Sequence, residues 1–229
     1  MTFDILETHL SYKMIKTITL SKQNLSIKQL MDRDDHLAAI IDFIGPINYV
    51  LHANRFGFLV DTIIGQMLSN RVATILKDRM RIICDGEPTP NIVKNLDMNR
   101  LRSIGISTGK AIAISNLTQC VLDDSINLEN LDYLSNTDVI KSLICLKGIG
   151  VWTAKMFLIF VLNRPDILPF EDRAFLQAYS WLYETTELEP QTIIASCEKW
   201  QPHSSYAARY LYKALDVGMT LRPIKDFLI

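Results

Sequence analysis

Residues 143–154, Leu-Ile-Cys-Leu-Lys-Gly-Ile-Gly-Val-Trp-Thr-Ala, constrain the fold more than any other stretch. Two segments of helical periodicity meet there, separated only by a turn containing two glycines. Glycine tolerates positive φ and close backbone approach, so Gly148 and Gly150 let the chain reverse within very few residues. The second segment, 152–162, is apolar nearly all round, which is the pattern of a buried central helix. Apolar spacing predicts further helices over 34–44, 58–67, 70–83, 91–101, 108–122, 136–143, 173–183 and 206–215. Only residues 15–20 alternate as a strand does. The expected class is all-α.

Composition sets limits on this reading. Of 229 residues, 48% are hydrophobic and 21% charged, which supports a packed globular domain and excludes disorder as the main state. The longest apolar run, 156–162, falls far short of the roughly 20 residues of a membrane span. The opening residues carry Asp4 and Glu7 and lack the pattern of a secretory leader, so a cytoplasmic protein is expected. The net charge is −1, which argues against coating nucleic acid by charge alone. Two local asymmetries stand out. Between residues 71 and 110, eight basic residues face four acidic ones, which suggests one positive face. Lys13, Lys16, Lys22 and Lys28 lie in a stretch without acids and form either a basic flank or a solvated surface. Cys84, Cys120, Cys145 and Cys197 are too widely spaced for a CxxC site, so an iron–sulfur cluster is not expected and all four read as buried thiols. His9, His36, His52 and His203 show no ligand spacing. Asn163 and the Asp123-Asp124 pair read as structural.

Three stretches carry chemistry. At the glycine turn, the helix beginning near residue 151 directs free N–H groups outward, an arrangement that holds a phosphate without a cationic side chain. Lys147 adds a charge there, and Thr153 could add a hydroxyl donor. Residues 165–172, Pro-Asp-Ile-Leu-Pro-Phe-Glu-Asp, end on Asp172 just before an apolar helix, where a carboxylate can cap the helix. Residues 63–69, Ile-Ile-Gly-Gln-Met-Leu-Ser, end a helix in an amide, a flexible apolar side chain and a hydroxyl. Gln66 can pair with base edges or backbone, and Met67 can enter a base stack; taken alone, both also suit a core.

In order and spacing, these blocks resemble the helix-hairpin-helix DNA glycosylase superfamily, and most closely its 3-methyladenine (alkylbase) branch. Leu-Arg-Ser-Ile-Gly-Ile-Ser at 101–107 and Trp-Gln-Pro-His-Ser-Ser-Tyr-Ala-Ala at 200–208 add to the match. The resemblance implies two helical subdomains with the active site in the cleft between them. It divides the chain into an extension at 1–33 and a glycosylase core at 34–229. It further implies a monomeric enzyme of base excision repair acting on damaged duplex DNA, located in the cytoplasm of a bacterium and associated with the nucleoid. Asp172 falls on the catalytic aspartate, with Asp166 and Glu171 as rivals in the same segment. Trp152, Met156 and Tyr212 fall on the pocket for the extruded base. Gly148, Gly150, Thr153, Lys147, Gln66, Met67 and Ser69 fall on DNA-contacting positions, with Met67 as the wedge. The backbone carbonyls of Ile144, Leu146 and Ile149 match a site for a sodium or potassium ion; no cofactor is required.

Departures from the family pattern sharpen the expectation. Relatives that also cut the strand carry a lysine where this chain has Trp152, so no amine is placed for a Schiff base and an abasic product is expected. Lys155 is nearby but at another helical phase. Met156 replaces a tyrosine, which makes the pocket less aromatic. Lys147 replaces a proline, and Ser204 an arginine. Two other readings stay open: the same fold acting on another lesion such as uracil or hypoxanthine, and a helix-hairpin-helix module that binds DNA without catalysis.

Overall fold

The computed structural model describes residues 17–228. Twelve α-helices, four short 3-10 helices and one two-stranded antiparallel sheet account for the architecture among these residues. The strands β1 (Thr17–Leu20) and β2 (Ile47–Val50) pair antiparallel, with Thr17 opposite Val50 and Leu20 opposite Ile47. Between them run α1 (Leu25–Arg33) and α2 (Asp35–Ile44). Then come α3 (Arg55–Gly65), α4 (Asn70–Cys84), α5 (Pro90–Val93), α6 (Met98–Ser103), α7 (Thr108–Leu122), α8 (Asn136–Ile144) and α9 (Val151–Phe160). The chain closes with α10 (Arg173–Leu182), α11 (Pro190–Cys197) and α12 (Ser204–Asp216).

These elements bury two separate apolar cores, which define two helical lobes. One core runs from Phe56 to Ile167 and is built on α3 to α9. The other joins Leu20, Ile27, Leu30 and the apolar face of α2 to α10, α11 and α12. The chain therefore begins in one lobe, builds the other, and returns. The segment that carries it back, 161–172, lies between the lobes and places Asp172 there.

Most predicted helices stand within a few residues of their expected bounds, and the exceptions have local causes. The helix expected over 91–101 is two helices. Thr89 caps α5, with Pro90 in its first turn, and the Asp97 carboxylate accepts from the Arg100 amide to start α6 afresh. The helix expected over 58–67 starts at Arg55 under an Asn54 cap and stops at Gly65. Residues 17–33 do not trail as an extension: Leu20, Ile27 and Leu30 are buried in the second core. The strand expected over 15–20 is present as β1, and its first two residues lie outside the described ones, as do His9, Lys13 and Lys16. Lys22 pairs with Asp42 and Lys28 is exposed, so this part of the lysine stretch is a solvated face.

One buried carboxylate organises the returning lobe. Asp34, 2% exposed, caps α2 by accepting from the Leu37 amide at 3.2 Å. It also accepts from the Tyr183 hydroxyl at 2.5 Å and the Trp200 indole at 2.7 Å, with Lys199 at 3.2 Å. Burial by itself raises its pKa, but these donors outweigh burial and hold it below the ordinary value. The folded group therefore titrates below the unfolded one, and its stabilisation is complete only above the unfolded pKa. Asp34→Asn is expected to lower unfolding free energy at pH 7 by about 2 kcal/mol, read by urea titration. The gap between wild type and variant should narrow below about pH 4, as the wild-type carboxylate takes up its proton.

Candidate active site

Asp172 is held at both oxygens. One accepts from the Phe175 amide at 2.8 Å, capping α10, and the other accepts from the Trp152 indole N–H at 2.6 Å. The first bond belongs to one lobe and the second reaches across to α9 of the other. A cleft of about 880 Å³ opens in front of this pair, lined by Met156 and Phe160 along α9 and by Gln66 and Met67 at the end of α3. The Tyr212 hydroxyl is buried beside Asp172, and burial together with that neighbouring charge pushes it well above its ordinary pKa.

The rival acids serve other partners. Asp166 accepts from the Ser204 amide and hydroxyl, so the serine that replaces the expected arginine ties α12 to the returning segment. Glu171 lines the cleft but is clamped by Lys155, whose Nζ lies 2.7 and 2.8 Å from its two oxygens. The same ammonium donates to the Leu168 carbonyl and sits 3.7 Å over the Phe170 ring. Burial lowers the Lys155 pKa, with Glu171 opposing.

The hairpin is α8, a turn at 145–150, and α9. Its two glycines play different parts. Gly148 has φ +88°, and a Cβ there would meet Ala113 Cβ at 2.4 Å, so the turn packs directly on α7. Gly150 does not need positive φ: its φ is −100° and a Cβ would meet nothing within 4 Å. It caps α9 without a side chain and leaves the helix start open. Among the described residues, the Gly148 and Gly150 amides have no acceptor, and both residues are exposed. Lys147 is exposed beside them. Thr153 is 1% exposed, so its hydroxyl is not available to a phosphate. The Leu146 carbonyl accepts from the Ile149 amide, which leaves it one lone pair, and Ile144 ends α8 at the same turn.

The expected wedge is prominent. Met67 is 94% exposed and has φ +58°, a conformation that costs a residue other than glycine on the order of 1–3 kcal/mol. Two side chains hold it there. Gln66 does not offer its amide to a base: Nε2 donates to the Gly148 carbonyl at 2.9 Å and lies 3.4 Å from the Thr153 hydroxyl. Lys110, whose sequence context distinguishes it from no other charge of the basic stretch, donates from Nζ to the Ile64 and Gln66 carbonyls at 2.8 and 2.7 Å. It thereby closes the C-terminus of α3 as a cation should. Ser69 caps α4 by accepting from the Val72 amide.

The basic excess over 71–110 is partly internal. Arg81 pairs with Asp61 and Glu87, and Arg79 donates to the Ile104 carbonyl, while Lys77 remains at the cleft. Cys84 and Cys197 are buried, but Cys145 is exposed on the hairpin and Cys120 is half-buried, so four buried thiols is not the outcome. No three His, Cys, Asp or Glu side chains gather as a metal site among the described residues. Nor is any described helix long and apolar enough to cross a membrane. Asn163 accepts from the Tyr49 hydroxyl, and Asp123 accepts from the Ser125 amide in a turn, so both are structural.

No family model matches the chain. Individual relatives do. The DNA-3-methyladenine glycosylase 1 of Schizosaccharomyces pombe is 25% identical over 211 residues, covering 90% of this chain and 92% of that protein. A crystal structure of a DNA-3-methyladenine glycosidase from Bacillus halodurans superposes with a TM-score of 0.79 at 27% identity, over 92% of this chain and 99% of the other. The S. pombe 3-methyladenine DNA glycosylase in complex with abasic DNA gives 0.75 at 26% identity, over 84% and 97%. Together with the hairpin and the clamped aspartate, these likenesses in sequence and fold support the helix-hairpin-helix DNA glycosylase superfamily as the class. Within it, the named relatives support the 3-methyladenine glycosylase branch.

The two glycines make a contrasting pair for mutation. Gly148→Ala combines an unfavourable φ with a clash against α7 and should destabilise by about 2 kcal/mol or more. Gly150→Ala meets no neighbour, replaces a good N-cap by a poor one, and should cost no more than about 1 kcal/mol. Thermal melting of the two variants checks both.

Proposed function

We propose that the protein is a monofunctional DNA glycosylase that extrudes alkylated bases such as 3-methyladenine from duplex DNA and hydrolyses their N-glycosidic bond. The observation that carries this reading is Asp172, fixed at both oxygens by a helix start and the Trp152 indole, at the mouth of a cleft flanked by an exposed wedge and an open hairpin. Cleavage of the bond leaves positive charge on the sugar, and a preorganised carboxylate stabilises that charge without moving. The same carboxylate can orient the attacking water. The Trp152 ring supports a cationic base by stacking and cation–π attraction, of order 1 kcal/mol. Met67 fills the vacated stack, which offsets part of the few kcal/mol that extrusion costs. The unpaired amides of Gly148 and Gly150, with Lys147, hold the backbone phosphate.

An abasic site as product follows from the same geometry. Trp152 stands where an amine would be needed, and Lys155 is locked on Glu171 and the Leu168 carbonyl, away from a role as nucleophile. The free lone pair of the Leu146 carbonyl supports a sodium or potassium ion that the carbonyls of Ile144 and Ile149 would share. A duplex carrying one damaged base suits a protein that acts as a monomer, and a cytoplasmic, nucleoid-associated location suits that substrate.

The test is base release from methylated duplex DNA. Wild type should release methylpurines and leave strands that break only after alkali, and Asp172→Asn should be slower by about a hundredfold or more. Breaks before alkali that vanish in Lys155→Ala would overturn the monofunctional reading. Equal DNA binding by wild type and Asp172→Asn, with no base released by either, would favour a binding module instead. Met67→Ala should melt as wild type does yet extrude the base less well, read by fluorescence of 2-aminopurine beside the lesion.

A further inference from the structure

Behind Phe160 lies a second cavity, of about 460 Å³, between α12 and β2. Phe160 is a wall of both this cavity and the cleft that holds Asp172. Tyr212, whose hydroxyl adjoins Asp172, is another wall. The most unusual group at its boundary is Arg209, which is 8% exposed. Its guanidinium lies 3.7 Å from the centre of the Tyr49 ring and 4.8 Å from that of Phe160, so it is fixed between two aromatic faces. One of its five N–H donors has a partner: Nη2 donates to the Ile159 carbonyl at 2.7 Å, near the end of α9. Nε is buried with no acceptor, and no carboxylate pairs with the group among the described residues.

A role in closing α9 explains that one bond. It does not explain a buried cation with unused donors beside a cavity. Unsatisfied buried donors are costly, and a ligand that supplies an acceptor recovers the cost. The guanidinium offers donors only, so an amino group facing it is disfavoured and a carbonyl oxygen favoured.

We propose that Arg209 is a specificity-determining residue, and that the cavity behind Phe160 receives the far edge of the extruded base and selects bases that carry a carbonyl oxygen there. This rests on the glycosylase reading above and deepens it by naming the substrate class. Among methylated purines, 7-methylguanine carries a carbonyl at the position where 3-methyladenine carries an amino group. Both are cationic in the nucleoside, so the comparison isolates hydrogen-bond polarity from net charge. A site built to bond a polar edge rejects the base that lacks the matching group.

The experiment measures 7-methylguanine and 3-methyladenine released from one sample of methylated duplex DNA by wild type, Arg209→Gln and Arg209→Lys. Arg209→Gln keeps a neutral donor amide but removes the charge and the forked donors. Its ratio of 7-methylguanine to 3-methyladenine is expected to fall about tenfold, with Arg209→Lys in between. An unchanged ratio in a variant that melts cooperatively overturns the proposal while leaving the glycosylase reading intact. No methylpurine released by wild type overturns that reading itself. Should both variants fail to fold, binding of the two free bases to wild type, read by tryptophan fluorescence, decides the matter. Tighter binding of 7-methylguanine supports the carbonyl-selective cavity, and equal or weaker binding overturns it.

Discussion

The hydrogen bond from the Trp152 indole to Asp172 is the interaction on which the site depends. Asp172 begins α10 in one lobe, and Trp152 lies in the first turn of α9 in the other. Capping alone would leave one carboxylate oxygen free to rotate towards solvent. The indole donor fixes the second oxygen and ties the mouth of the cleft together. The aromatic residue expected to cradle the base thus also aims the anion. Glu171, one residue earlier, is removed from competition by Lys155, so two adjacent carboxylates have separate tasks.

A second set of contacts joins the wedge to the hairpin. Met67 is held in a strained conformation at an exposed position, which persists only when its neighbours are fixed. Lys110 grips the carbonyls just before it, and Gln66 reaches to the carbonyl of Gly148. The residue that would enter the base stack and the turn that would hold the phosphate are therefore set as one unit. This arrangement also accounts for a net charge near zero. Backbone amides at a helix start contribute the positive potential, and two arginines of the basic stretch, Arg79 and Arg81, serve acceptors within the protein.

The sequence by itself determined what is local. Helix periods, the Asp172 cap and the glycine turn depend on residues within a few positions of one another, so spacing alone reveals them. Where a local signal was read too broadly, the error is local too: Asp97 restarts a helix that apolar spacing had run together, and Gly150 needed no positive φ although its neighbour did. Tertiary structure decided which polar groups remain free. Thr153 and Gln66 looked available to DNA and are engaged with each other and the hairpin. Lys110 and Arg209 carried no signal beyond their charge, yet one fixes the wedge and the other lines a cavity. The physical reason is that a donor's availability depends on acceptors brought near it by packing. Those acceptors are mostly backbone carbonyls 44 to 82 residues away in the chain, which no spacing pattern encodes.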